Sequence, residues 1–195
     1  MQSVDKIYKT QIEIKKSTFL SFLCPFKEFK ILITNLKQEH PKAVHFVYAY
    51  RALNDLNQII EDKSDDGEPK GTSGMPTLNV LRGYDLVNVA IVTVRYFGGI
   101  KLGTGGLVRA YSDAANAAIS CANLITFEFK SEQKICVDFA NLGKIEHFLN
   151  KNSFEFYKEF KEDKIILNIS LNEEEKKKLQ DFCKNFSPLN LQFLN

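Results

Sequence analysis

At 195 residues the chain has room for one large domain or two small ones, and a hydrophobic fraction of 44% excludes an intrinsically disordered protein. With 26 basic and 24 acidic residues the formal net charge is only +2, which argues against a strongly basic nucleic-acid protein while leaving room for a local patch. The N-terminal MQSVDKIYKTQIEIKK has no apolar core of a secretory signal, and the longest apolar run, residues 89–94, is far too short to span a bilayer. A cytoplasmic location without membrane contact is the expectation. Cys24, Cys121, Cys136 and Cys183 form no CxxC pair and lie in apolar segments, so buried reduced thiols are expected.

Ile12 and Ile14 alternate with polar neighbours and residues 18–26 are extended, which predicts two strands. Phe29, Leu32, Ile33 and Leu36 recur at helical spacing over residues 28–40, and Pro41 ends the pattern. VHFVYAYR, residues 44–51, alternates again. Val44, Phe46, Tyr48 and Tyr50 fall on one face, His45, Val47, Ala49 and Arg51 on the other. A weaker strand is predicted over 57–62, a short helix over 77–82, and a central, β-branched strand over 88–96. From Thr104, a candidate cap, the spacing is helical, with Leu107, Tyr111, Ala114 or Ala115, Ala118 and Cys121 in one stripe.

After residue 125 the pattern changes. Strands are predicted at 133–139, 154–160, 165–171 and through Leu189, Leu191 and Phe193. Helices are predicted on the Leu142, Ile145, Phe148, Leu149 stripe and after an Asn172–Glu175 capping box. The order βαββαβ predicts an α+β protein with a ferredoxin-like second domain, 126–195, following a first domain, 1–125. Residues 1–125 carry 15 basic and 12 acidic side chains, a net +3, so the first domain is the better host for an anion.

Two loops carry the chemistry. In RYFGGIKLGTGG, residues 95–106, Gly98, Gly99, Gly103, Gly105 and Gly106 lie between a strand and a helix. Glycine permits close backbone approach, and a helix N-terminus offers free N–H groups and the positive end of its dipole. Arg95, Lys101 and Arg109 add charge, and Thr104 adds a hydroxyl. A phosphate or nucleic-acid site fits these residues; so does a tight turn with no ligand. The spacing is neither a P-loop nor GxGxxG. In SDDGEPKGTSGMP, residues 64–76, Asp65, Asp66 and Glu68 are the hard oxygen donors that Mg²⁺ takes. The same stretch, with Gly71 and Thr72, fits a solvated turn in which Asp65 or Asp66 binds backbone amides and Thr72 or Ser73 caps a helix. His45 and Arg51 share a strand face and fit either a general base with a cation or ordinary packing.

These two loops, with HFVYAYR, resemble the hallmark stretches of the Impact/YigZ family over residues 40–115. On that resemblance the motif positions include Asp65, Asp66, Gly67, Glu68, Gly71, Gly74, Pro76, Arg95, Gly98, Gly99, Lys101, Gly103, Gly105, Gly106, Arg109 and Tyr111. Two departures stand out: Met75 stands where a basic residue is frequent, and Phe46–Val47 where asparagine and cysteine are. The resemblance implies a ribosomal protein S5 domain 2-like first domain and a second domain like the last of elongation factor G. Eukaryotic members of the family act in translational control. The expectation is therefore a non-enzymatic, translation-associated protein that binds RNA, the ribosome or a translation-related protein at the glycine loop and needs no cofactor. A Mg²⁺-dependent phosphoryl-transfer enzyme and a protein-interaction module docking through the acidic loop are the alternatives.

Overall fold

The computed structural model describes residues 1–186 and 191–194. The chain divides into two compact units, Met1–Phe127 and Glu128–Asn195, each mixing helix and strand. In the first, strands β2 (Tyr8–Ile14), β3 (Ser17–Pro25), β4 (His45–Leu53), β5 (Ile59–Ser64) and β6 (Val89–Tyr96) form one antiparallel sheet. Its order is β2-β3-β6-β4-β5. A pair of two-residue strands, β1 (Gln2–Ser3) and β7 (Ile125–Thr126), lies outside the predicted elements and ties the two ends of the unit together.

The β2–β3 hairpin turns on Lys15 and Lys16, both at positive φ (47° and 66°), the conformation a two-residue turn needs to match strand twist. Strand β6 is central and buried along residues 89–95, in keeping with its β-branched sequence. Side-chain alternation then sorts two faces. Leu20, Phe22, Ala90, Val92 and Val94 pack with Phe29, Leu32 and Leu36 of α1 (Phe29–Glu39), and Phe46, Tyr48 and Tyr50 lean on the same cluster. Phe19, Leu23, Val47, Ala49, Val89 and Ile91 face the opposite way, onto α2 (Gly74–Gly83) and α3 (Thr104–Ser120). Ala110, Ala114, Ala115 and Ala118 are fully buried on α3, so the helix backbone lies close to the sheet.

Three local expectations are corrected. Helix α2 starts at Gly74, with Pro76 in its first turn, where the missing N–H costs nothing. Gly103, not Thr104, holds the N-cap position of α3, and no side chain caps that end. Cys121 sits one residue past the helix and is exposed, while Cys136 is half-buried; only Cys24 and Cys183 are buried, and all four are free thiols.

The second unit runs β8 (Ser131–Val137), α4 (Phe139–Lys151), β9 (Glu155–Phe160), β10 (Ile165–Leu171), α5 (Glu173–Cys183) and β11 (Leu191–Leu194). Its sheet is antiparallel in the order β11-β8-β10-β9. The Asn172–Glu175 capping box is present, and Asp138 caps α4 by accepting from Asn141 N–H. Ile135, Val137, Ile165, Leu167, Ile169 and Leu171 pack against Ile145, Leu149, Leu179 and Cys183, and Phe148 stacks on Phe182 at 4.0 Å between ring centres. The predicted strand residue Leu189 lies outside the described residues. Among those described, no helix is long and apolar enough to cross a membrane.

Candidate functional site

Strand register builds the floor of the site. Arg95 of β6 lies opposite Phe19 of β3 on one side and His45 of β4 on the other. Phe19 meets the ring of Tyr111 edge-on at 5.2 Å, which places α3 above this row. The Arg95 guanidinium lies 5.5 Å from the Phe19 ring centre and 5.9 Å from that of Phe97. At 6% exposure it needs a partner.

The acidic loop supplies that partner. Glu68, 8% exposed, takes Arg95 Nη1–H at 2.5 Å and the Tyr111 hydroxyl at 2.7 Å, both on Oε1. Its other oxygen lies 3.8 Å from His45 Nε2. Burial, then the Glu68 charge, push the Tyr111 phenol up, so it stays a donor at all ordinary pH. His45 Nδ1 donates to the Asp66 carbonyl at 2.7 Å, since a carbonyl can only accept, and this fixes Nε2 toward Glu68. His45 is thus a packed member of the polar cluster.

The other two acids hold the loop together. Asp65 Oδ1 accepts Ser73 N–H, Ser73 Oγ–H and Gly74 N–H, and Oδ2 accepts Gly71 N–H. Asp65 therefore does the capping expected of Thr72 or Ser73, whose side chains make no cap bond to α2. Thr72 instead donates to the Pro69 carbonyl at 2.6 Å. Burial raises the Asp65 pKa, but the bonds from Gly71, Ser73 and Gly74 together outweigh it and hold the group below its ordinary value. Asp66, at φ 44°, accepts Phe46 N–H at 2.6 Å. Gly74 is forced: a Cβ there would lie 2.9 Å from the Ser64 carbonyl oxygen.

The geometry gives Asp65, Asp66 and Glu68 partners within the chain. Each carboxylate is spent on the chain's own donors, and among the described residues no group of three or more acids, histidines or cysteines converges on an ion.

The two loops meet at a cavity of about 370 Å³ lined by Glu68, Pro69, Arg95, Phe97, Lys101, Leu102, Gly103, Thr104 and Leu107. The first intrahelical bond of α3 runs from Leu107 N–H to Gly103 C=O, so the amides of Thr104, Gly105 and Gly106 precede the ladder with no side-chain cap. Lys101 is exposed in the same wall. Arg95 Nε is buried without any partner.

The structure thus brings Glu68, Arg95, Lys101, Gly103 and Thr104 into one wall and leaves the other predicted residues elsewhere. Gly98 serves the fold: a Cβ there would sit 2.0 Å from the Lys16 carbonyl. Gly99 and Gly106 do not line the cavity, and Gly105 is exposed on the first turn of α3. Arg109 is exposed farther along α3. Gly71 lines a separate groove of about 380 Å³ with Met75, Pro76, Asn79, Val80, Val108 and Ser112. Arg51 is removed from the site altogether, bonding Glu61 at 2.9 Å and the Leu86 carbonyl at 2.9 Å. Sequence reasoning missed Phe97 and Leu102 as lining residues. An aromatic directly after a buried strand and before a glycine pair was the available signal.

The family model for the Impact N-terminal domain matches residues 15–119. The chain is 36% identical over 167 residues to an IMPACT family member of Haemophilus influenzae, covering 83% of this chain and 80% of that one. It is 43% identical over 112 residues to the IMPACT family member YigZ of Escherichia coli, covering 55% and 54%. A crystal structure described as that of a hypothetical protein matches with a TM-score of 0.74 at 29% identity, covering 99% of this chain and 95% of that one.

Proposed function

The chain belongs to the Impact family, and from that premise we propose that it is a non-enzymatic, translation-associated binding protein. It engages RNA, the ribosome or a translation factor through the cavity at the head of α3. The observation that carries this reading is the meeting of uncapped α3 amides, Lys101 and a half-used Arg95 in one wall. Helix N-termini with flanking cations are anion sites by their backbone physics. In the same reading the first unit has the ribosomal protein S5 domain 2-like fold and the second the ferredoxin-like fold, the latter supported by the order β11-β8-β10-β9. A cytoplasmic location goes with it.

The test is filter binding of the full chain to single-stranded RNA across a salt series. Binding should weaken with salt, and Lys101→Ala should lower the log–log slope by about 0.7, the share of one phosphate contact on a single strand. RNA retention that is absent at every salt concentration, or indifferent to Lys101, would overturn the RNA form of the proposal.

A further inference from the structure

The cavity wall has more than charge, and what it adds names the occupant. Arg95 spends a single donor, Nη1, on Glu68. Its Nε is buried with no partner, although the residue is 6% exposed and lines the cavity. Buried donors in folded proteins are almost always paired, so this guanidinium nitrogen, in a residue that lines the cavity, lacks an acceptor. A guanidinium fixed on one side, with the rest of its fork unpaired, is suited to an anion with two or more oxygens in a plane or tripod. Thr104, in the first turn of a helix of 17 residues that no side chain caps, lines the same cavity. The formal charge of the wall, Arg95 and Lys101 against Glu68, is positive by one.

The second feature is apolar. Phe97 is 50% exposed, no aromatic ring among the described residues stacks on it, and the Arg95 guanidinium lies 5.9 Å from its ring centre. Pro69, Leu102 and Leu107 continue the apolar surface into the cavity. A bare oxyanion would leave this surface uncovered. A carboxylate side chain would reach the amides but would bring no planar group to the phenyl ring. The volume, about 370 Å³, lies at the small-molecule end of ligand cavities.

From these two features together we infer that the occupant is one nucleotide unit, its phosphate on Arg95 and the α3 amides and its base stacked on Phe97. This inference rests on the cavity being an anion site, as proposed above, and specifies its ligand. A free mononucleotide and the 5′-phosphorylated end of an RNA strand carry the same chemistry.

Isothermal titration calorimetry on the full chain tests it with four probes: inorganic phosphate, 5′-AMP, and a short oligoribonucleotide with either a 5′-phosphate or a 5′-hydroxyl. AMP should bind roughly 5- to 150-fold more tightly than inorganic phosphate, the range that base–aromatic stacking supplies. Phe97→Ala, at an exposed position, should remove that gain and leave phosphate affinity unchanged. Lys101→Ala should weaken both ligands. A 5′-phosphate preference in the oligonucleotides assigns the site to strand ends; equal binding of the two, with AMP still favoured, assigns it to free nucleotides. Equal affinity for AMP and phosphate, or a gain that survives Phe97→Ala, overturns the inference. If RNA is retained on filters while AMP gains nothing, the functional proposal stands and the nucleotide pocket falls. If AMP binds through Phe97 while RNA is not retained, the RNA form falls and the pocket stands. If none of the probes and no RNA bind, both fall.

Discussion

Replacing Glu68 with leucine should cost the first unit about 3–5 kcal/mol, the usual penalty for orphaning a buried charge. Arg95 is 6% exposed and Glu68 8%, so water makes up for the lost carboxylate only in part. The change strands a guanidinium whose Nε is already unpaired and removes the acceptor of the Tyr111 hydroxyl. Tyr111→Phe, which leaves the Arg95–Glu68 pair intact, should cost less, about 1.5–3 kcal/mol, the price of one hydrogen bond to a charged group. Arg95→Met added to Glu68→Leu should recover at least about 2 kcal/mol relative to the sum of the single changes, because neither charge is then buried alone. Urea unfolding followed by tyrosine emission reads the right unit: the chain has no tryptophan, and every tyrosine except Tyr157 lies in residues 1–127. A Glu68→Leu cost below about 1 kcal/mol, or strict additivity in the double variant, would refute the idea that the pair holds this corner of the fold.

Gly98→Ala should destabilise the first unit by about 3 kcal/mol or more, since its Cβ would sit 2.0 Å from the Lys16 backbone. Gly105→Ala, whose Cβ meets nothing within 4 Å, should be neutral or stabilising by up to about 1 kcal/mol; the two urea midpoints check both. Asp65 and Glu61 both titrate below their ordinary values, Asp65 because its four hydrogen bonds outweigh burial, Glu61 chiefly through its bond from Arg82. The stability they contribute is full above the unfolded carboxylate range near pH ~4 and is lost as pH falls through their lower folded values. Midpoints should therefore drop on acidification below about pH 4, and less steeply in the Asp65→Asn, Glu61→Gln variant. Burial, and next the charge of Glu28, push the Cys24 thiol up to about 12, and burial does the same for Cys183. Native alkylation followed by peptide mapping should label exposed Cys121 first and leave Cys24 and Cys183 protected until the chain unfolds.

The strands and helices with clear periodicity were legible because burial imposes that periodicity directly. The alternation of Phe46, Tyr48 and Tyr50 against Val47 and Ala49 is the separation between the α1 layer and the α2–α3 layer. The β1–β7 pair was not legible, because two residues carry no period and their pairing joins positions more than 120 residues apart. Helical spacing extends the stripe of α3 to Cys121, which is the C-cap of the helix and exposed. The acidic loop left two readings open in the sequence. Its composition fits an ion site and an internally bonded turn equally well. What separates them is that Arg95 and Tyr111, 27 and 43 positions away, both point at Glu68.

Seen through those contacts, the two unusual loops divide the labour unequally. The acidic loop faces inward: Asp65 ties Gly71, Ser73 and Gly74 to the start of α2, Asp66 fastens the loop to β4 through Phe46, and Glu68 seizes one side of Arg95. The glycine loop faces outward, with Gly98 consumed by the hairpin behind it and the first turn of α3 left open. The loop that looks ready to bind a cation thus serves to immobilise one, and Arg95 is held rigidly at the cavity wall with donors to spare. A fixed donor loses little conformational freedom on binding, so it adds affinity that a mobile surface arginine such as Arg109 does not. On the proposed reading, that asymmetry lets a chain of net charge +2 bind an anion without a basic surface around it.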